Sequence, residues 1–284
     1  ADEYDRSFHQ LKADIAVITN IEPDHLDIYR DIEDIKNNFR KFIESGKKGL
    51  KIIACGDEKH VAGILKDMKN KKLYGFNKGN DYIIENISYG KTSISFSLDK
   101  YDIKIVVLGK HNILNASAAY LTAKQFNISE EKFNQSMETF YGVKRRLELR
   151  YNNGVKIYDD YAHHPTEIKA TLEAINKSRP KRVITVFQPH LYSRTKELYK
   201  EFGEAFSGTD ILILDKIYPA REKEIAGVSS SMTLGEYNES ISRKGKAGKN
   251  KEPGIYIENR ELIMDELEKI SRDGDIIIFQ GAGD

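Results

Sequence analysis

The architecture of the chain is predicted most directly from the segment Val155-Lys156-Ile157-Tyr158-Asp159-Asp160-Tyr161-Ala162-His163-His164-Pro165-Thr166-Glu167. Its first residues form a short, mostly apolar run, which predicts a strand over 155–158. Pro165 then stands where a first helical residue should, since proline has no N–H to leave unpaired there. Apolar residues continue at helical spacing with Ile168, Leu172 and Ile175. The segment therefore predicts a strand that leads into a helix through a short polar connection.

The same alternation of strand and helix continues to the end of the chain. Further apolar runs predict strands at 182–187, 210–214, 254–257 and 275–279. Helical spacing lies between them, for example at Leu198, Phe202 and Phe206. Strands that alternate with helices are typical of a parallel sheet with crossover helices.

The first half of the chain begins with the same alternation and then departs from it. Strands are predicted at 14–19 and 50–54, each followed by a helical pattern, the first of which covers about 31–44. From Tyr82 to Leu108 the residues alternate as in antiparallel hairpins, and helical spacing returns over 112–127 and 130–140. The fold class is therefore α/β, with a parallel sheet plus antiparallel strands followed by a second α/β domain.

A domain boundary is predicted at the segment from Gly142 to Arg150, where the alternation restarts. The 284 residues are too many for one ordinary domain and about right for two. We therefore divide the chain into domains 1–144 and 145–284.

Composition excludes several classes of function. The chain has 45 Lys plus Arg and 44 Asp plus Glu, and a net charge of +1 gives no bulk attraction to nucleic acid or to an anionic membrane. No apolar run approaches 18 residues, so no transmembrane helix is expected. Cys55 is the only cysteine, which excludes a disulfide within the chain and favours a reducing, cytoplasmic location.

Polar clusters that could carry chemistry follow the predicted strands or lie at the predicted boundary. In open α/β sheets, ligands bind just outside the carboxyl ends of the strands. The clusters are 20–27, 109–116, 145–146, 159–167 and 187–195.

Two of these clusters lie in the first domain, and each has a structural alternative. His25 stands among carboxylates that suit a metal ion, or it is a loop histidine beside residues that cap the next helix. Asn112 and Asn115 could present amides to an adenine edge, or Asn112 is simply a helix cap.

The other clusters lie at the boundary and in the second domain. Arg145 and Arg146 could bind a phosphate through paired hydrogen bonds, or they are exposed surface arginines. The acids, tyrosine and paired histidines of 159–167 favour ligand handling or proton transfer over a plain turn. His190 and Arg194 could bind or polarise a carboxylate, with Ser193 or Thr195 capping the helix.

Taken together, these segments resemble the Mur ligase family. The resemblance rests on Thr19–Asp27, Gly109–Asn115, Gly142–Arg146, Asp159–Glu167, Phe187–Thr195, Tyr218–Glu222, Gly227–Ser230 and Gly281–Asp284. It implies the later part of the family's central ATPase domain, followed by its Rossmann-like C-terminal domain. The sequence contains no Gly-x-x-x-x-Gly-Lys-Ser/Thr motif. We therefore expect this chain to be a piece of a longer product, without ATPase or ligase activity by itself.

The resemblance also implies a reaction. It is ATP-dependent amide formation in peptidoglycan synthesis, in which L-alanine is joined to UDP-N-acetylmuramate through an acyl phosphate, with Mg²⁺. Phe187-Gln188-Pro189-His190 favours L-alanine over the alternative acceptor, a recycled tripeptide. A non-catalytic binding module remains a further alternative, and the resemblance leaves a homodimer open.

Site residues follow by position in the matching motifs. The resemblance implies that His25 binds Mg²⁺, that Asn112 and Asn115 contact adenine, and that Arg146 reaches the ATP phosphates. It implies that Asp160 contacts the ribose. The groups implied around the incoming alanine and the acyl phosphate are Tyr161, His163, His190 and Arg194. Leu191 stands where many relatives have arginine, so Arg194 is the expected anion contact.

Overall fold

The computed structural model describes residues 4–23, 28–90, 93–243 and 251–283. Contacts within the chain divide it into two compact units, and the division falls between Phe140 and Tyr141. The boundary proposed from the sequence, between 144 and 145, lies a few residues further along. Each unit has its own sheet and its own apolar cores.

The first unit contains one mixed sheet. Its elements are β1 (Ile15–Ile18), α1 (Ile32–Glu44), β2 (Lys51–Cys55), α2 (Lys59–Ile64), β3 (Lys71–Gly75), β4 (Tyr82–Tyr89), β5 (Ile94–Leu98), β6 (Tyr101–Ile105), α3 (Lys110–Lys124) and α4 (Glu130–Met137), after a 3₁₀ turn at Ser7–Gln10. The strands lie in the order of the chain, with β1 to β4 parallel and β5 and β6 antiparallel. The predicted combination of parallel and antiparallel strands is confirmed.

The second unit is a doubly wound sheet. Its elements are β7 (Glu148–Asn153), β8 (Val155–Asp160), α5 (Pro165–Lys177), β9 (Arg182–Phe187), α6 (Tyr192–Ala205), β10 (Ile211–Leu214), α7 (Ser230–Arg243), β11 (Ile255–Tyr256), α8 (Arg260–Ile270) and β12 (Asp275–Gln280), with a 3₁₀ turn at Phe206–Gly208. The strand order is β11-β10-β9-β12-β8-β7, and only β7 is antiparallel to its neighbour.

The strand order of the second unit separates two strands that are consecutive in the chain. The last strand, β12, lies between β8 and β9. The connections after β8 and β9 lead to α5 and α6, which pack in the same apolar core on one face of the sheet. In open α/β sheets, ligands bind just outside the carboxyl ends of the strands. The polar segments 159–167 and 187–195 leave the sheet at this carboxyl edge.

Alternating side chains of the second sheet supply two cores. On one face, Phe187 packs with Phe202 and Phe206 in a buried cluster. On the other face, Ile184 and Val186 pack with Ile263 and Leu267 of α8. These two sets come from odd and even positions of β9, as the period of two along a strand requires.

Helices α1 and α5 are held at their starts by local side-chain hydrogen bonds. In α1 the Asp31 carboxylate accepts from the N–H of Asp34. In α5, Pro165 opens the helix and Glu167 completes a capping box with His164. Among the residues described by the structure, no helix is long and apolar enough to cross a membrane.

Two strands were not predicted, and both are polar. In β3 the apolar signal is only Leu73 and Tyr74. Strand β7 lies at the edge of the sheet and is mostly exposed, so its sequence carries no buried pattern. The signal that could have revealed β7 is Asn153-Gly154, since this pair favours the two-residue turn of a hairpin.

A buried ion pair ties β9 to β12 at the amino end of the sheet. The Arg182 guanidinium donates to both carboxylate oxygens of Asp275, at 3.2 and 2.6 Å. Their side chains are only 10% and 3% exposed. Removing one partner would leave the other charge buried without compensation.

We predict that Asp275→Ala lowers the free energy of unfolding by about 3–5 kcal/mol, as measured by urea denaturation. The matched control is Asp273→Ala, which removes an exposed pair with Lys181 at 3.8 Å. That control should cost less than about 1 kcal/mol. Equal losses for the two variants would contradict the importance given to the buried pair.

Candidate functional site

Two groups of polar side chains lie at the carboxyl edge of the second sheet. We call the first the histidine cluster: Tyr161, His163, His190, Arg194, Tyr218 and Glu222. We call the second the carboxyl-edge pocket, which has a volume of about 350 Å³. Its lining is Arg145, Asp159, Val186, Gln188, Asp215, Arg260, Ile263, Met264, Phe279, Gln280, Gly281 and Gly283.

His163 is fixed by the connection between β8 and α5. Its Nδ1 lies 2.9 Å from the carbonyl oxygen of Tyr161 and 3.4 Å from Oε2 of Glu167. Both neighbours are acceptors, so Nδ1 carries the proton in the neutral ring and Nε2 holds the lone pair. The backbone N–H of His163 also donates to Glu167, at 3.0 Å. The orientation of the ring is therefore set by the start of α5.

His190 lies next to His163, in the connection between β9 and α6. The two rings meet edge to face with centroids 5.9 Å apart, and the other side of His190 faces the Tyr218 ring at 15°. Nδ1 of His190 is buried and has no hydrogen-bond partner among the described residues.

The surroundings of His190 disfavour its charged form. Burial is the largest cause, and the positive charge of Arg194 and the neighbouring His163 add to it, against an opposing effect of Glu222. Together they lower the pKa of His190 from 6.5 to about 4. The ring is therefore neutral at pH 7.

Arg194 is brought to His190 by the first turn of α6. The residue before this helix, Leu191, has φ of +71°, a value that is unusual for leucine. The helix start was expected to be capped by Ser193 or Thr195. Instead, Glu222 accepts hydrogen bonds from the backbone N–H and hydroxyl of Ser193, while the Thr195 hydroxyl donates to Leu191.

Tyr161 lies under two guanidinium groups. The central carbons of Arg145 and Arg146 lie 4.9 and 5.4 Å from the centre of its ring. Arg146 is about half exposed and pairs with Glu167 at 3.2 Å, so its guanidinium can turn towards an anion at modest cost. Arg145 instead donates to the carbonyls of Gly281 and Gly283, at 2.8 and 2.7 Å. Arg145 thus holds the end of the chain in place, and Arg146 is the more available cation.

The structure does not favour Asp160 as the ribose contact. Its side chain is buried, and its two oxygens accept from the N–H of Leu147, the hydroxyl of Thr171 and the amide of Gln280. The physical reason is that a carboxylate satisfied inside the fold has no exposed face for a ligand. The preceding residue, Asp159, points to the other side of the strand and lines the carboxyl-edge pocket.

The floor of the carboxyl-edge pocket is a network of three side chains. Arg260 donates to Asp215 at 3.2 Å and to Gln188 at 2.9 Å, and Gln188 donates to Asp215 at 2.9 Å. Asp215 is almost fully buried, whereas the Arg260 side chain is 54% exposed. The pocket therefore offers an exposed guanidinium beside an apolar wall.

In the first unit, the two predicted adenine contacts lie near the start of α3. Asn112 donates to the carbonyl of Leu108 at 2.8 Å and accepts from Asn115 at 3.4 Å. Asn115 is exposed, and it is the amide nitrogen of its side chain that donates to Asn112, which leaves the side-chain oxygen facing away from this contact. The pair therefore keeps an acceptor and donors for a ligand edge.

The predicted metal ligand His25 lies outside the described residues, as does the rest of 24–27. Within the described ranges, no group of three or more His, Cys, Asp or Glu side chains could hold a metal ion. In the first unit, the pKa of Glu58 is raised by burial and by the charges of Glu22 and Asp57. A magnesium site at this edge therefore stays a proposal.

Sequence reasoning missed several residues that organise the site. Glu167, Tyr218 and Glu222 lay inside matching motifs but were given no role. The signal for Glu167 was its position three residues after His164, where a capping carboxylate is expected. No local pattern indicates that Tyr218 and Glu222 contact residues nearly thirty positions earlier.

The chain belongs to the Mur ligase family. The profile described as Mur ligase middle domain matches residues 2–123, and the profile described as Mur ligase, glutamate ligase domain matches residues 145–283. The resemblance stated from the motifs is thereby confirmed.

Individual relatives give a more specific likeness. The chain is 41% identical over 290 residues to a UDP-N-acetylmuramate–L-alanine ligase of Clostridium tetani, covering 99% of this chain and 61% of that protein. It is 40% identical over 291 residues to the protein of the same name from Cytophaga hutchinsonii, covering 100% of this chain and 59% of the other. The chain thus spans about three fifths of the length of these relatives.

Solved structures share the fold. The UDP-N-acetylmuramate–alanine ligase of Thermotoga maritima matches with a TM-score of 0.76 and 21% identity, over 100% of this chain and 59% of that one. A MurF ligase from Thermotoga maritima in complex with ADP matches with a TM-score of 0.73 and 18% identity, over 94% of this chain and 58% of the other.

The lowered pKa of His190 predicts a pH dependence of stability. Between pH 6.5 and 4 the unfolded chain binds a proton at this ring and the folded chain does not, so stability falls as the pH falls through this range. Urea denaturation should show a shallower decline for His190→Gln than for the wild type over this range. Parallel declines would show that the folded environment does not disfavour the charged ring.

Asp160 and Asp159 should differ sharply on truncation. We predict that Asp160→Ala lowers the free energy of unfolding by about 3 kcal/mol, because it leaves buried donors without an acceptor. Asp159→Ala, the matched neighbour, should change it by less than about 1 kcal/mol, since its pairing with Arg145 is partly exposed and long, at 3.7 Å. Thermal and urea unfolding of both variants would measure this, and a larger loss for Asp159→Ala would reverse the assignment.

Proposed function

We propose that this protein is a cytoplasmic ligase that joins L-alanine to UDP-N-acetylmuramate at the expense of ATP, in peptidoglycan synthesis. The observation that carries the proposal is the histidine cluster, in which a neutral imidazole and a guanidinium lie together at the carboxyl edge of the second sheet. The names of the relatives that are about 40% identical over the whole chain support the same substrates.

The histidine cluster suits the two ends of a free amino acid. Arg194 is the proposed partner of the alanine carboxylate, because a guanidinium binds a carboxylate through paired hydrogen bonds. The alanine amine must lose a proton before it can attack an acyl group, and a neutral imidazole can accept one. His190 is the proposed acceptor, and Tyr161 and His163 are the proposed walls and orienting groups of the same site.

Binding of the amino acid would strengthen His190 as a base. The positive charge of Arg194 is one cause of the lowered pKa of His190. A substrate carboxylate beside Arg194 offsets that charge, so the pKa of His190 rises towards its ordinary value when the site is filled. Substrate binding and proton acceptance are in this way coupled through one guanidinium.

For the nucleotide, the two units offer separate groups. In the first unit, Asn112 and Asn115 are the proposed adenine contacts. In the second, Arg146 is the proposed phosphate contact, and Asp159 replaces Asp160 as the proposed ribose contact, since only Asp159 is exposed to the carboxyl-edge pocket. ATP supplies the phosphoryl group that activates the muramoyl carboxylate. Mg²⁺ with His25 as a ligand remains part of the proposal, and no step above depends on it.

The proposal is tested with the complete gene product that contains residues 1–284. Phosphate release from ATP is measured with UDP-N-acetylmuramate and either L-alanine or the recycled tripeptide as acceptor. Release that depends on L-alanine is expected. Release that depends on the tripeptide and not on L-alanine would favour the recycling ligase. If neither L-alanine nor the tripeptide stimulates phosphate release, a ligase function is overturned.

Two variants test the amino-acid site. In the complete gene product, His190→Ala and Arg194→Ala should each lower kcat/KM for L-alanine by about 30- to 150-fold, the effect of losing a charged hydrogen bond of about 2–3 kcal/mol. Arg150→Ala serves as the control, because it removes an exposed arginine on β7. Unchanged alanine kinetics in both test variants would remove these residues from the site.

A further inference from the structure

The loop between β10 and α7 contacts the start of α6, and two of its contacting residues lie beside His190 and Arg194: Tyr218 and Glu222. Tyr218 pairs with the connection after β9 by two backbone hydrogen bonds: its N–H donates to Pro189 at 2.8 Å, and its carbonyl accepts from Leu191 at 2.9 Å. The Tyr218 ring lies against the His190 ring with centroids 5.7 Å apart. The two backbone hydrogen bonds of Tyr218 thus hold the residues on both sides of His190, Pro189 and Leu191.

Glu222 contacts the start of α6 through its side chain. Its two carboxylate oxygens accept the backbone N–H of Ser193, at 3.0 Å, and the Ser193 hydroxyl. Burial raises the pKa of Glu222, but these hydrogen bonds outweigh burial and hold the pKa below its ordinary value. The carboxylate is thus charged, and it caps the helix that carries Arg194.

Among the residues that the structure describes, Glu222 is the acid whose charge acts on His190. Arg194 on α6 and His163 after β8 both oppose the charged form of His190, whereas Glu222 favours it. The uncharged neighbour is Tyr218, from the same loop as Glu222. A negative charge on this loop therefore offsets part of the effect that the positive charge of Arg194 has on the ring.

We propose that Glu222 is a positioning residue of the amino-acid site, which holds the first turn of α6 so that His190 and Arg194 face the same substrate. The inference rests on the proposed function for the identity of that substrate. Glu222 acts in two ways: its hydrogen bonds to Ser193 fix the helix start, and its charge keeps the His190 ring from becoming a still weaker base. It is not itself required to touch the amino acid.

Substitutions can separate the charge from the hydrogen bonds. Glu222→Gln keeps an acceptor for Ser193 and removes the charge, and Glu222→Asp keeps the charge. Glu224→Gln is the matched control, since Glu224 lies two residues away on the same loop and bonds to the hydroxyl of Tyr192, with no part in the electrostatics of His190. All three variants leave the length of the loop unchanged and replace one side chain by another of similar size.

The first measurement is an NMR titration of His190 in the chain of residues 1–284, with its signal assigned from His190→Gln. Glu222→Gln should lower the pKa of His190 below that of the wild type, whereas Glu222→Asp and Glu224→Gln should leave it closer to the wild-type value. If Glu222 had a purely structural role, the pKa of His190 would not be lower in Glu222→Gln than in Glu222→Asp. Equal values in Glu222→Gln and Glu224→Gln would overturn the proposal.

The second measurement is the steady-state kinetics of the complete gene product. Glu222→Gln should raise KM for L-alanine about 5- to 30-fold and leave KM for ATP unchanged, with partial rescue in Glu222→Asp. A KM for L-alanine equal to that of Glu224→Gln would overturn the proposal. If the wild type does not use L-alanine, the proposed function fails, while the titration still decides whether Glu222 controls His190.

Discussion

The carboxyl edge of the second sheet depends on the buried carboxylate of Asp160. Its oxygens join three parts of the chain: the segment that enters the unit at Leu147, helix α5 through Thr171, and the last strand through Gln280. The backbone carbonyl of Asp160 also accepts from Gly281. Because β12 lies between β8 and β9, Asp160 ties the carboxyl ends of β8 and β12 together next to the polar connections that follow β8 and β9.

The residues proposed for the amino-acid site all lie in segments that leave the second sheet at its carboxyl edge or pack against those segments. The connection after β8 presents His163, and the connection after β9 presents His190 and Arg194. Their closeness has an electrostatic consequence, since a half-buried imidazole beside a guanidinium remains neutral. In the proposed function, the carboxylate of the substrate offsets the positive charge of Arg194, which is one cause of the lowered pKa of His190. The proposed site thereby combines a guanidinium that recognises an acid with an imidazole that accepts a proton from an amine.

Local sequence patterns predicted most strands, the start of α5 and the segments that carry the site, because each of these depends on neighbouring residues in the chain. The apolar runs and Pro165 located the strands and the start of α5, and polar residues after strands located the site segments. The pattern could not reveal β7, because an exposed edge strand has no buried face to mark it. It also could not tell Asp159 from Asp160: adjacent positions of a strand face opposite ways, and which side was buried depends on Thr171 and Gln280.

Long-range contacts account for the rest of what the sequence could not predict. Tyr218 and Glu222 act on residues of another connection, and only the order of the strands brings the two loops together. Arg145 and Arg146 are identical in type and adjacent in the chain, yet one binds backbone carbonyls and the other pairs with Glu167 near the surface. Family resemblance indicated which segments matter and singled out Arg146 and Asp160 within them, whereas the contacts of the fold leave Arg146 near the surface and bury Asp160.

The central claim is that the histidine cluster holds the amino acid that is to be ligated. It is tested most directly by a crystal structure of the complete gene product with UDP-N-acetylmuramate, a non-hydrolysable ATP analogue and L-alanine. The account predicts the alanine carboxylate within hydrogen-bond distance of Arg194 and its amine facing His190. Alanine bound elsewhere, with Arg194 and His190 making no contact to it, would contradict the account.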